Sequence, residues 1–494
     1  MRGQQGQRLV IGVDSSTQAT KAVVVDVETG RIQGQGRAPH TVTGSDGARE
    51  SDPEAWWSAL GEAVTAGLKE SGADPSAVAG IAVAGQQHGL VVLDAAGRPL
   101  RPALLWNDTR SAPQAAALTA ALGGPEAWLA RTGSEPVASM TATKWQWLRD
   151  HEPATAAAAA AVRLPHDFLT ERLAGTAVTD PGDASGTLWY ATATGAYDPA
   201  LLDLVGMDAR LLPEVAPTGA AHVGTLTEAA AEALGLPAGT AVAAGTGDNM
   251  AAAVGLGLGG AGLLDHPVVS LGTSGTVFAA SRARPAAPGI AGFAAADGTY
   301  LPLGCTLNCT LAVDKVAALL GLDREDAEPG GAAVLLPYLD GERTPDLPHA
   351  SGLLTGVRHD TTPKQLLGAA YEGAAFTVLR ALDELLRACG LDPAAPEVRD
   401  RPLRLTGGGA QGRVWRDTVR RLSGRPLIVP HHTELVALGA AALAAAAATG
   451  ADPVAIAAGW GTGEGEPLPA LPRDRAAWDR IEGVLERATP SLLS

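Results

Sequence analysis

The sequence contains very few cysteines, and this excludes one class of protein. Only three of its 494 residues are cysteine: Cys305, Cys309 and Cys389. Three cysteines cannot form the dense disulfide framework of a small secreted domain. We interpret them as small core residues of a protein in a reducing cytosol. The spacing Cys305-x3-Cys309 resembles half of a metal site, but no Cys/His pair with matching spacing follows it.

Positive charge is also scarce. The chain has 37 Lys and Arg against 53 Asp and Glu, which gives a formal net charge of −16 at pH 7. No Lys/Arg cluster is long enough to reverse this balance locally. Because such a surface repels a phosphate backbone, we do not expect a nucleic acid partner.

Long hydrophobic runs are missing as well. The longest, near 250–264 and 435–448, are rich in Ala and Gly and are shorter than a membrane span. The start, MRGQQGQRLVIGVD, has no apolar segment of useful length before Asp14, so we expect no signal peptide. Since 46% of the residues are apolar, the chain is globular, and its length favours two or three domains. We expect a cytoplasmic protein.

The first seventy residues carry clear local patterns. The runs RLVIGV (8–13), KAVVVDV (21–27) and RIQGQGR (31–37) are separated by polar turns, which predicts a three-stranded meander. The segment 51–72 predicts an amphipathic helix with Ser51 or Asp52 as its cap. Further along, EPATAAAAAAVR (152–163) predicts an Ala-rich helix.

A similar opening returns after the midpoint of the chain. PVVSLGTSGTVFAASR (267–282) has two apolar runs around a hydroxyl-rich turn, so its residues 271–274 can be aligned with 14–17. Residues 403–430 then predict a strand, a glycine turn, a helix and a strand. Two halves that begin alike indicate an internal duplication, with a boundary near 245–260. Ligand clefts are often found at such junctions between domains.

Three turns rich in Gly, Ser and Thr follow apolar strands: 14–21, 271–276 and 406–412. Small side chains let backbone N–H groups approach an anion closely, so these turns suit a nucleotide's phosphates. None of them matches the P-loop or the G-x-G-x-x-G fingerprint, so the nucleotide site belongs to a different architecture.

Asp248 lies with Asn249 in a segment, 243–259, that is otherwise small and apolar. Burying a charged side chain is costly unless it is paired or has a chemical task. Two interpretations are open from the residues alone. Asp248 caps a helix that begins at Asn249, or it takes part in catalysis.

Eight motifs occur in an order that resembles the FGGY carbohydrate kinases, whose ribonuclease-H-like fold is shared with actin and hexokinase. The motifs are GVDSST (12–17), GQQHG (85–89), LLWNDTR (104–110), DASGTLW (183–189), GTGDN (245–249), SLGTSG (270–275), PYLDGERTP (337–345) and LTGGGAQ (405–411). The resemblance runs from about Arg8 to about residue 450. It implies an α/β fold of two ribonuclease-H-like domains with a catalytic cleft between them. The implied ranges are 8–247 for an N-terminal sugar-binding domain and 248–494 for a C-terminal ATP-binding domain.

The resemblance also implies roles for individual residues. Asp248 matches the general base that takes the proton of the sugar's terminal hydroxyl as this oxygen attacks the γ-phosphate of ATP. Asp14 matches an acidic residue beside Mg²⁺ and the transferring phosphoryl group. The residues implied in ATP binding are Ser15, Ser16, Thr17, Gly272, Thr273 and Ser274 at the phosphates, and Gly408 and Gly409 at the adenosine.

For the sugar, the resemblance implies a second set of residues. They are Gln87, His88, Trp106, Asn107, Asp108 and Asn249. From the residues alone, a lone histidine is usually a surface or core residue, and the alternative for Trp106 is a buried tryptophan beside turn residues. WND together with GQxHG is typical of the xylulokinase branch of the family and favours a ketopentose over glycerol.

The sequence departs from the family pattern at three positions. Gln87 stands where xylulokinases usually have Met, Ser16 replaces the glycine of D-x-G-T, and His166 stands where Lys is common. Because Gln87 bears on the sugar, two substrate hypotheses stay open. The first is phosphorylation of D-xylulose to D-xylulose 5-phosphate. The second is a kinase for another ketose or polyol, such as ribulose, a sugar alcohol or glycerol.

A third hypothesis comes from a different class, a catalytically silent ATP-binding protein of the actin-like fold. The retention of both Asp14 and Asp248 argues against it. We therefore expect a sugar and Mg²⁺-ATP as ligands, with no nucleic acid or membrane partner. A homodimer is compatible with the sequence, which does not determine an oligomeric state.

Overall fold

The computed structural model describes residues 8–259, 267–285, 287–345, 347, 349–488 and 493. Residues 1–7 lie outside the described residues. They belong to the segment from which we expect no signal peptide. Residues 260–264 of the longest apolar run also lie outside the described residues. Within the described residues, no helix is both long and apolar enough to cross a membrane.

Contacts divide the chain into two compact units. The first consists of Met1–Ala261, Gly292–Leu301 and Glu434–Gly463, and the second of Gly262–Ala291, Pro302–Thr433 and Glu464–Ser494. The sequence-based ranges, 8–247 and 248–494, are each continuous, whereas the observed units are not. The helix that begins at Asp248 and the Ala-rich segment 434–463 both belong to the first unit.

The strands and helices are numbered in chain order. The strands are β1 (Leu9–Ser15), β2 (Ala19–Asp26), β3 (Ile32–Pro39), β4 (Glu50–Ser51), β5 (Val78–Gly85), β6 (Val91–Leu93), β7 (Ala103–Leu104), β8 (Ala161–Arg163), β9 (Val178–Thr179), β10 (Tyr190–Ala191), β11 (Ala196–Tyr197), β12 (Glu214–Val215), β13 (His222–Thr225), β14 (Ala241–Ala243), β15 (Thr246–Gly247), β16 (Val268–Leu271), β17 (Gly275–Phe278), β18 (Ile290–Ala294), β19 (Tyr300–Thr306), β20 (Val334–Leu336), β21 (Leu353–Thr355), β22 (Leu403–Thr406), β23 (Leu427–Pro430) and β24 (Gly465–Leu468). The helices are α1 (Pro53–Ser71), α2 (Ala112–Ala121), α3 (Pro125–Thr132), α4 (Thr141–His151), α5 (Pro153–Ala158), α6 (Pro165–Ala174), α7 (Pro181–Ala184), α8 (Pro199–Val205), α9 (Glu228–Leu234), α10 (Asp248–Gly255), α11 (Thr310–Leu320), α12 (Pro363–Ala388), α13 (Pro396–Arg399), α14 (Arg413–Ser423), α15 (Leu435–Thr449), α16 (Pro453–Trp460) and α17 (Arg475–Arg487).

The first unit is built on a mixed sheet with the order β13-β14-β5-β1-β2-β3, in which β15 also pairs with β5. β1, β2 and β3 form the predicted antiparallel meander, and β5 runs parallel to β1. All seven residues of β1 are buried, which is typical of a central strand covered on both faces. This burial holds the end of β1 in a fixed place.

Helix α15 packs very closely on this sheet because small residues form the contact. A Cβ on Gly12 of β1 would lie only 1.9 Å from the carbonyl oxygen of Ala437. Helix α10 approaches α15 in the same way, since a Cβ on Gly439 would lie 1.8 Å from the carbonyl oxygen of Ala251. The small residues after Asp248 are therefore needed for helix packing.

The second unit contains strands in the sheet order β19-β17-β16-β22-β23-β24. Its strands β19, β17 and β16 are antiparallel, and β22 and β23 continue the sheet in parallel with β16. The first sheet has the same succession, with β3, β2 and β1 antiparallel and then β5 and β14 parallel. This shared order supports the predicted duplication, and the predicted α/β fold with two domains is confirmed.

Two local predictions have different outcomes. Helix α1 begins at Pro53, and the Asp52 side chain caps it by accepting a hydrogen bond from the Glu54 N–H, as predicted. The predicted helix at 152–163 is wrong at its end, because Ala161–Arg163 forms strand β8 and pairs with β6. Strand pairing outweighs the helix propensity of alanine there.

The three cysteines are free, and Cys305 and Cys309 are buried.

Candidate active site

The two catalytic candidates come from strand ends that meet at one edge of the first sheet. In the register of the parallel strands, Ser15 of β1 lies opposite Gly85 of β5, and Gly85 lies opposite Gly247 of β15. Asp14 therefore lies at the end of β1, and Asp248 directly follows β15. Loops beyond the carboxyl ends of parallel strands are the usual place for a ligand in an α/β fold.

Asp248 is the first residue of α10 and is partly exposed. The residue before it, Gly247, occupies the N-cap position, so the capping interpretation does not describe this side chain. Its Oδ1 accepts hydrogen bonds from the backbone N–H of Asn249 at 2.8 Å and from the Asn249 Nδ2 at 3.0 Å. Burial, with further contributions from Asp14 and Asp183, raises the pKa of Asp248 to about 7. A carboxylate with such a pKa can accept a proton near neutral pH.

Asp14 is only 5% exposed. Burial raises its pKa to about 6, while a hydrogen bond from the Ser16 hydroxyl and the nearby Lys21 ammonium partly oppose this shift. The Ser16 Oγ lies 2.5 Å from the Asp14 Oδ1, and Lys21 forms an ion pair with Glu434 at 2.8 Å. Asp14 and Asp248 therefore form a pair of interacting carboxyl groups with raised pKa values.

Gln87 is linked to the candidate base through Asn249. The Asn249 Nδ2 donates to the Gln87 Oε1 at 3.0 Å as well as to Asp248. This contact fixes the orientation of the Gln87 amide, whose Nε2 is buried and has no partner in the described residues. A Cβ on Gly247 would lie 2.7 Å from the Gln87 Cγ, so a glycine at the end of β15 is needed to make room for the Gln87 side chain. Gln87 therefore presents a hydrogen-bond donor that a methionine could not supply.

His88 has an unusual backbone conformation, with φ of 66°. Its Nδ1 lies 3.1 Å from the carbonyl oxygen of Gly186, which can only accept, so this nitrogen carries the proton. Position 186 of the DASGT motif must be glycine, because a Cβ on Gly186 would lie 2.2 Å from the His88 Nδ1. The imidazole also lies against Phe293, at 5.6 Å between ring centroids. These contacts hold the ring in one orientation.

Lys144 of α4 holds the backbone of His88 through its side-chain ammonium group. It is 1% exposed, and its Nζ donates to the His88 carbonyl oxygen at 3.3 Å and to the Ser139 carbonyl oxygen. The Thr141 hydroxyl donates to the same His88 carbonyl at 3.2 Å. Burial lowers the pKa of Lys144 to about 7, although Asp108 opposes the shift. The backbone conformation at His88 thus depends on a buried amine.

The WND motif contributes two partly exposed side chains. The Trp106 Nε1 donates to the Thr17 Oγ1 at 3.0 Å, so the indole is held by the turn that follows β1. Asn107 has a buried Oδ1 with no hydrogen-bond partner among the described residues. An unpaired buried acceptor of this kind suits a ligand hydroxyl.

Asp108 is occupied by protein contacts. Its Oδ2 accepts the backbone N–H of Arg49 at 2.8 Å and the Arg110 Nη2 at 2.6 Å. The carboxylate is buried, and its Oδ1 accepts the backbone N–H of Arg110 at 3.0 Å, so both oxygens already have partners. The geometry therefore favours a role for Asp108 in shaping the loop over direct contact with a sugar.

A buried cluster of four titratable side chains lies beside Gly85 and Thr246. His166 is 0% exposed, and its Nδ1 lies 2.6 Å from the Asp183 Oδ2. Its Nε2 lies 3.3 Å from the Asp167 Oδ1 and 3.9 Å from the Asp180 Oδ1. Burial lowers the pKa of His166 more than any single contact raises it, but the three carboxylates together raise it to about 9. His166 is therefore an imidazolium ion that neutralises buried negative charge.

This cluster touches the strand ends that carry the candidate site. A Cβ on Gly85 would lie 2.8 Å from the backbone nitrogen of His166. The Asp180 Oδ2 accepts a hydrogen bond from the Thr246 hydroxyl at 2.7 Å, two residues before Asp248. The cluster thus supports both β5 and β15 where the site begins.

The second unit brings two of the predicted ATP-binding turns together. Gly272, Thr273 and Ser274 form the turn between β16 and β17 and are wholly or partly exposed. β22 runs parallel to β16 and leads into Gly408 and Gly409. A Cβ on Gly409 would lie 2.8 Å from the Leu271 Cβ, whereas one on Gly408 would meet open space. The two turns therefore lie side by side.

Several residues of this site were missed in the sequence. Lys144 and Asp180 carried no signal beyond being polar, and Asp183 lay in a quoted motif without an assigned role. Gln86 precedes Gln87, is 1% exposed, and has neither side-chain polar atom bonded to any described residue. The density of acidic residues in TDPGDASG (179–186) was the one available signal for the His166 cluster.

Comparison with known proteins decides the family. Residues 9–255 match the N-terminal domain of the FGGY family of carbohydrate kinases, and residues 268–448 match its C-terminal domain. The chain belongs to the FGGY family of carbohydrate kinases. It is therefore a carbohydrate kinase, with ATP as a substrate.

Other FGGY proteins are similar over nearly the whole chain. A xylulose kinase of Streptomyces coelicolor is 58% identical over 98% of this chain and 97% of that protein. The crystal structure of xylulose kinase from Bifidobacterium adolescentis is 33% identical, with a TM-score of 0.81, covering 97% of this chain and 99% of that one. The xylulose kinase structure from Rhodospirillum rubrum has a TM-score of 0.87 at 26% identity, covering 98% and 100%.

Proposed function

We propose that this FGGY kinase transfers the γ-phosphoryl group of ATP to the terminal hydroxyl of D-xylulose and forms D-xylulose 5-phosphate. The main support for this proposal is a chain of hydrogen bonds that runs from Asp248 through Asn249 to Gln87. It lies at the same strand ends as Asp14. The similarity to xylulose kinases over nearly the full chain supports the choice of sugar.

In this mechanism Asp248 acts as the general base. Its pKa of about 7 leaves it ionised in a useful fraction of molecules at neutral pH, yet basic enough to accept the hydroxyl proton. Its Oδ1 is held by Asn249, so the carboxylate has a fixed direction. Phosphoryl transfer depends mainly on positioning and charge stabilisation, and a proton acceptor in a fixed place supplies part of both.

The proposed sugar contacts come from Gln87, His88, Trp106, Asn107 and Asn249. The unpaired Nε2 of Gln87 and Oδ1 of Asn107 provide a donor and an acceptor for sugar hydroxyls. Asp108 is not one of these contacts in the proposal; its hydrogen bonds to Arg49 and Arg110 hold the WND loop.

Nucleotide contacts are proposed for each unit separately. Within the first unit, contacts are proposed for Ser15, Ser16 and Thr17, which follow Asp14. The Ser16 N–H is already bonded to the Ala19 carbonyl oxygen at 3.1 Å, and Ser16 and Thr17 are partly exposed. Within the second unit, Gly272, Thr273 and Ser274 would contact phosphate oxygens, and Gly408 and Gly409 the adenosine. The open space at Gly408 supports this assignment.

The residues present fit a magnesium ion. The negative charge of Asp14 raises the pKa of Asp248, because the two carboxylates repel each other. A divalent cation offsets this repulsion. The described residues contain no group of three or more His, Cys, Asp or Glu arranged as a metal site. Asp14 would therefore hold Mg²⁺ together with phosphate oxygens of ATP, and the ion would neutralise phosphate charge.

A second candidate function is phosphorylation of another ketose or polyol. Gln87 favours it, because its buried Nε2 adds a donor where xylulokinases usually have methionine. The test is ADP release from Mg²⁺-ATP with D-xylulose, L-ribulose, D-ribulose, xylitol or glycerol. The proposal expects the highest kcat/KM with D-xylulose, and a higher value with another sugar would replace the substrate while keeping the kinase.

Changing Gln87 to Met tests the extra donor directly. We expect kcat/KM for D-xylulose to fall about threefold to tenfold, the effect of losing one hydrogen bond, with KM for ATP unchanged. Gln35→Met on the exposed side of β3 is the matched control and should change neither value. Equal kinetics for Gln87→Met and wild type, with every sugar, would remove Gln87 from the sugar site.

The pH dependence should report on Asp248. A general base works only when ionised, so a pKa raised to about 7 means that activity is lost as the pH falls through this value. We expect kcat/KM for D-xylulose at saturating Mg²⁺-ATP to be level at pH 8 and to fall about tenfold per unit well below pH 7. A profile that stays flat down to pH 5.5 would contradict the assignment.

Two further parts of the proposal concern the location and the oligomeric state of the protein. We infer a cytoplasmic location because the reaction consumes ATP and the cysteines are free. A homodimer is compatible with this proposal, and light scattering of the purified protein would test it directly.

A further inference from the structure

The motif PYLDGERTP (337–345) has no role in the function proposed so far, although one of its two acidic residues is almost fully buried. Glu342 is 1% exposed. Its Oε1 accepts the backbone N–H groups of Leu307 at 2.6 Å and Arg343 at 2.8 Å. Its Oε2 accepts the backbone N–H of Asn308 at 3.3 Å and the Asn308 Nδ2 at 3.0 Å. Four N–H groups thus converge on one carboxylate.

The same motif holds the neighbouring backbone through two more bonds. The Thr344 hydroxyl donates to the carbonyl oxygen of Cys305 at 2.9 Å. The Asn308 Nδ2 donates to the carbonyl oxygen of Gly341 at 2.7 Å. Both bonds join the motif to residues 305–308, which form the end of β19 and the start of its connection to α11.

Residues 306–310 in turn hold both ends of the turn 272–274. At one end, the Thr310 backbone N–H and hydroxyl both donate to the carbonyl oxygen of Gly272, at 3.1 and 2.8 Å. At the other end, the Thr306 hydroxyl donates to the carbonyl oxygen of Gly275 at 3.3 Å. Within the turn the Gly272 N–H donates to the Ser274 carbonyl oxygen at 3.1 Å. With these carbonyls held in place, the N–H groups of Thr273 and Ser274 are the ones that the turn can offer to an anion.

We propose that Glu342 is a positioning residue for the nucleotide: it fixes residues 306–310 and, through Thr306 and Thr310, the shape of the turn 272–274. This inference rests on the proposed role of the turn 272–274 in binding ATP phosphates. Glu342 itself does not contact the nucleotide in this scheme. An aspartate would be too short to span the same donors, and a glutamine would place an NH₂ group against N–H donors.

The test compares Glu342→Gln with Glu372→Gln. Glu372 is a matched control, because it is also a buried carboxylate of the second unit, but its partners are the Gly330 backbone N–H and Arg421. We expect Glu342→Gln to raise KM for ATP at least tenfold and to lower kcat, while KM for D-xylulose stays within twofold. Glu372→Gln should lower the melting temperature without this split between the two KM values.

A second pair of variants keeps the inference testable if Glu342→Gln folds poorly. Thr310→Val removes the hydroxyl that binds Gly272, whereas Thr310→Ser retains it. We expect KM for ATP to rise severalfold in Thr310→Val and to stay near the wild-type value in Thr310→Ser. Measurements are made at a temperature at which all variants remain folded.

The outcomes separate this inference from the proposed function. Wild-type turnover with D-xylulose, together with unchanged KM for ATP in Glu342→Gln and Thr310→Val, would overturn the inference alone. A wild-type protein that neither binds a non-hydrolysable ATP analogue nor phosphorylates any sugar would overturn both. Equal rises of KM for ATP in Glu342→Gln and Glu372→Gln would show a general structural effect and would also overturn the inference.

Discussion

Replacing Asp248 by Asn is expected to reduce D-xylulose phosphorylation by a factor of about 10² to 10⁴, the usual contribution of a positioned general base. Asparagine keeps the size of the side chain and can still accept the N–H of Asn249 through its carbonyl oxygen. It cannot take up the proton of the attacking hydroxyl. The loss should therefore appear in kcat, with little change in the affinity for ATP.

The measurement is steady-state ADP release, combined with calorimetric titration of a non-hydrolysable ATP analogue. Asp203→Asn, on the exposed surface of α8, is the control for a charge change in the same unit. It should match the wild type in both experiments. If Asp248→Asn retained a kcat within threefold of the wild-type value, Asp248 would not be the base, although the chain would still be a kinase.

Replacing His166 by Leu is expected to cause the largest loss of stability. The side chain is 0% exposed, and its imidazolium faces Asp167, Asp180 and Asp183. Removing one partner of a buried ion pair costs about 3–5 kcal/mol, because the remaining charges stay buried without compensation. For a unit of this size, such a loss corresponds to a fall in the melting temperature of roughly 10 °C.

Scanning calorimetry of His166→Leu, His166→Lys and His222→Leu tests this expectation. His222 lies exposed on β13, so His222→Leu should melt with the wild type. Lysine restores a positive charge among the three carboxylates and should recover most of the lost stability. A His166→Leu protein with the wild-type melting temperature would mean that the cluster carries no net negative charge.

The sequence predicted those parts of the fold that depend on neighbouring residues. The meander β1–β3 and the start of α1 follow from apolar runs, turn residues and a capping Asp52, all of which are local signals. The domain ranges depend on long-range packing. The return of residues 434–463 to the first unit depends on glycine contacts such as that of Gly12 with Ala437, which no local pattern records.

The candidate site divides in the same way. Motif order identified the strand-end residues, and the register of β1, β5 and β15 brings Asp14 and Asp248 to one edge. Burial and partners were not visible in the sequence. Lys144 binds a carbonyl 56 positions away, and His166 pairs with Asp183 across 17 positions. Such contacts require the tertiary fold, so Asp108 could be predicted as polar but not as already paired.

The most direct test of the central claim is identification of the product formed from D-xylulose and Mg²⁺-ATP. Mass spectrometry and phosphorus NMR would be applied to the reaction mixture of the purified wild-type protein. The account predicts D-xylulose 5-phosphate in a one-to-one ratio with ADP. Release of inorganic phosphate without a sugar phosphate, or phosphorylation at another carbon, would contradict it.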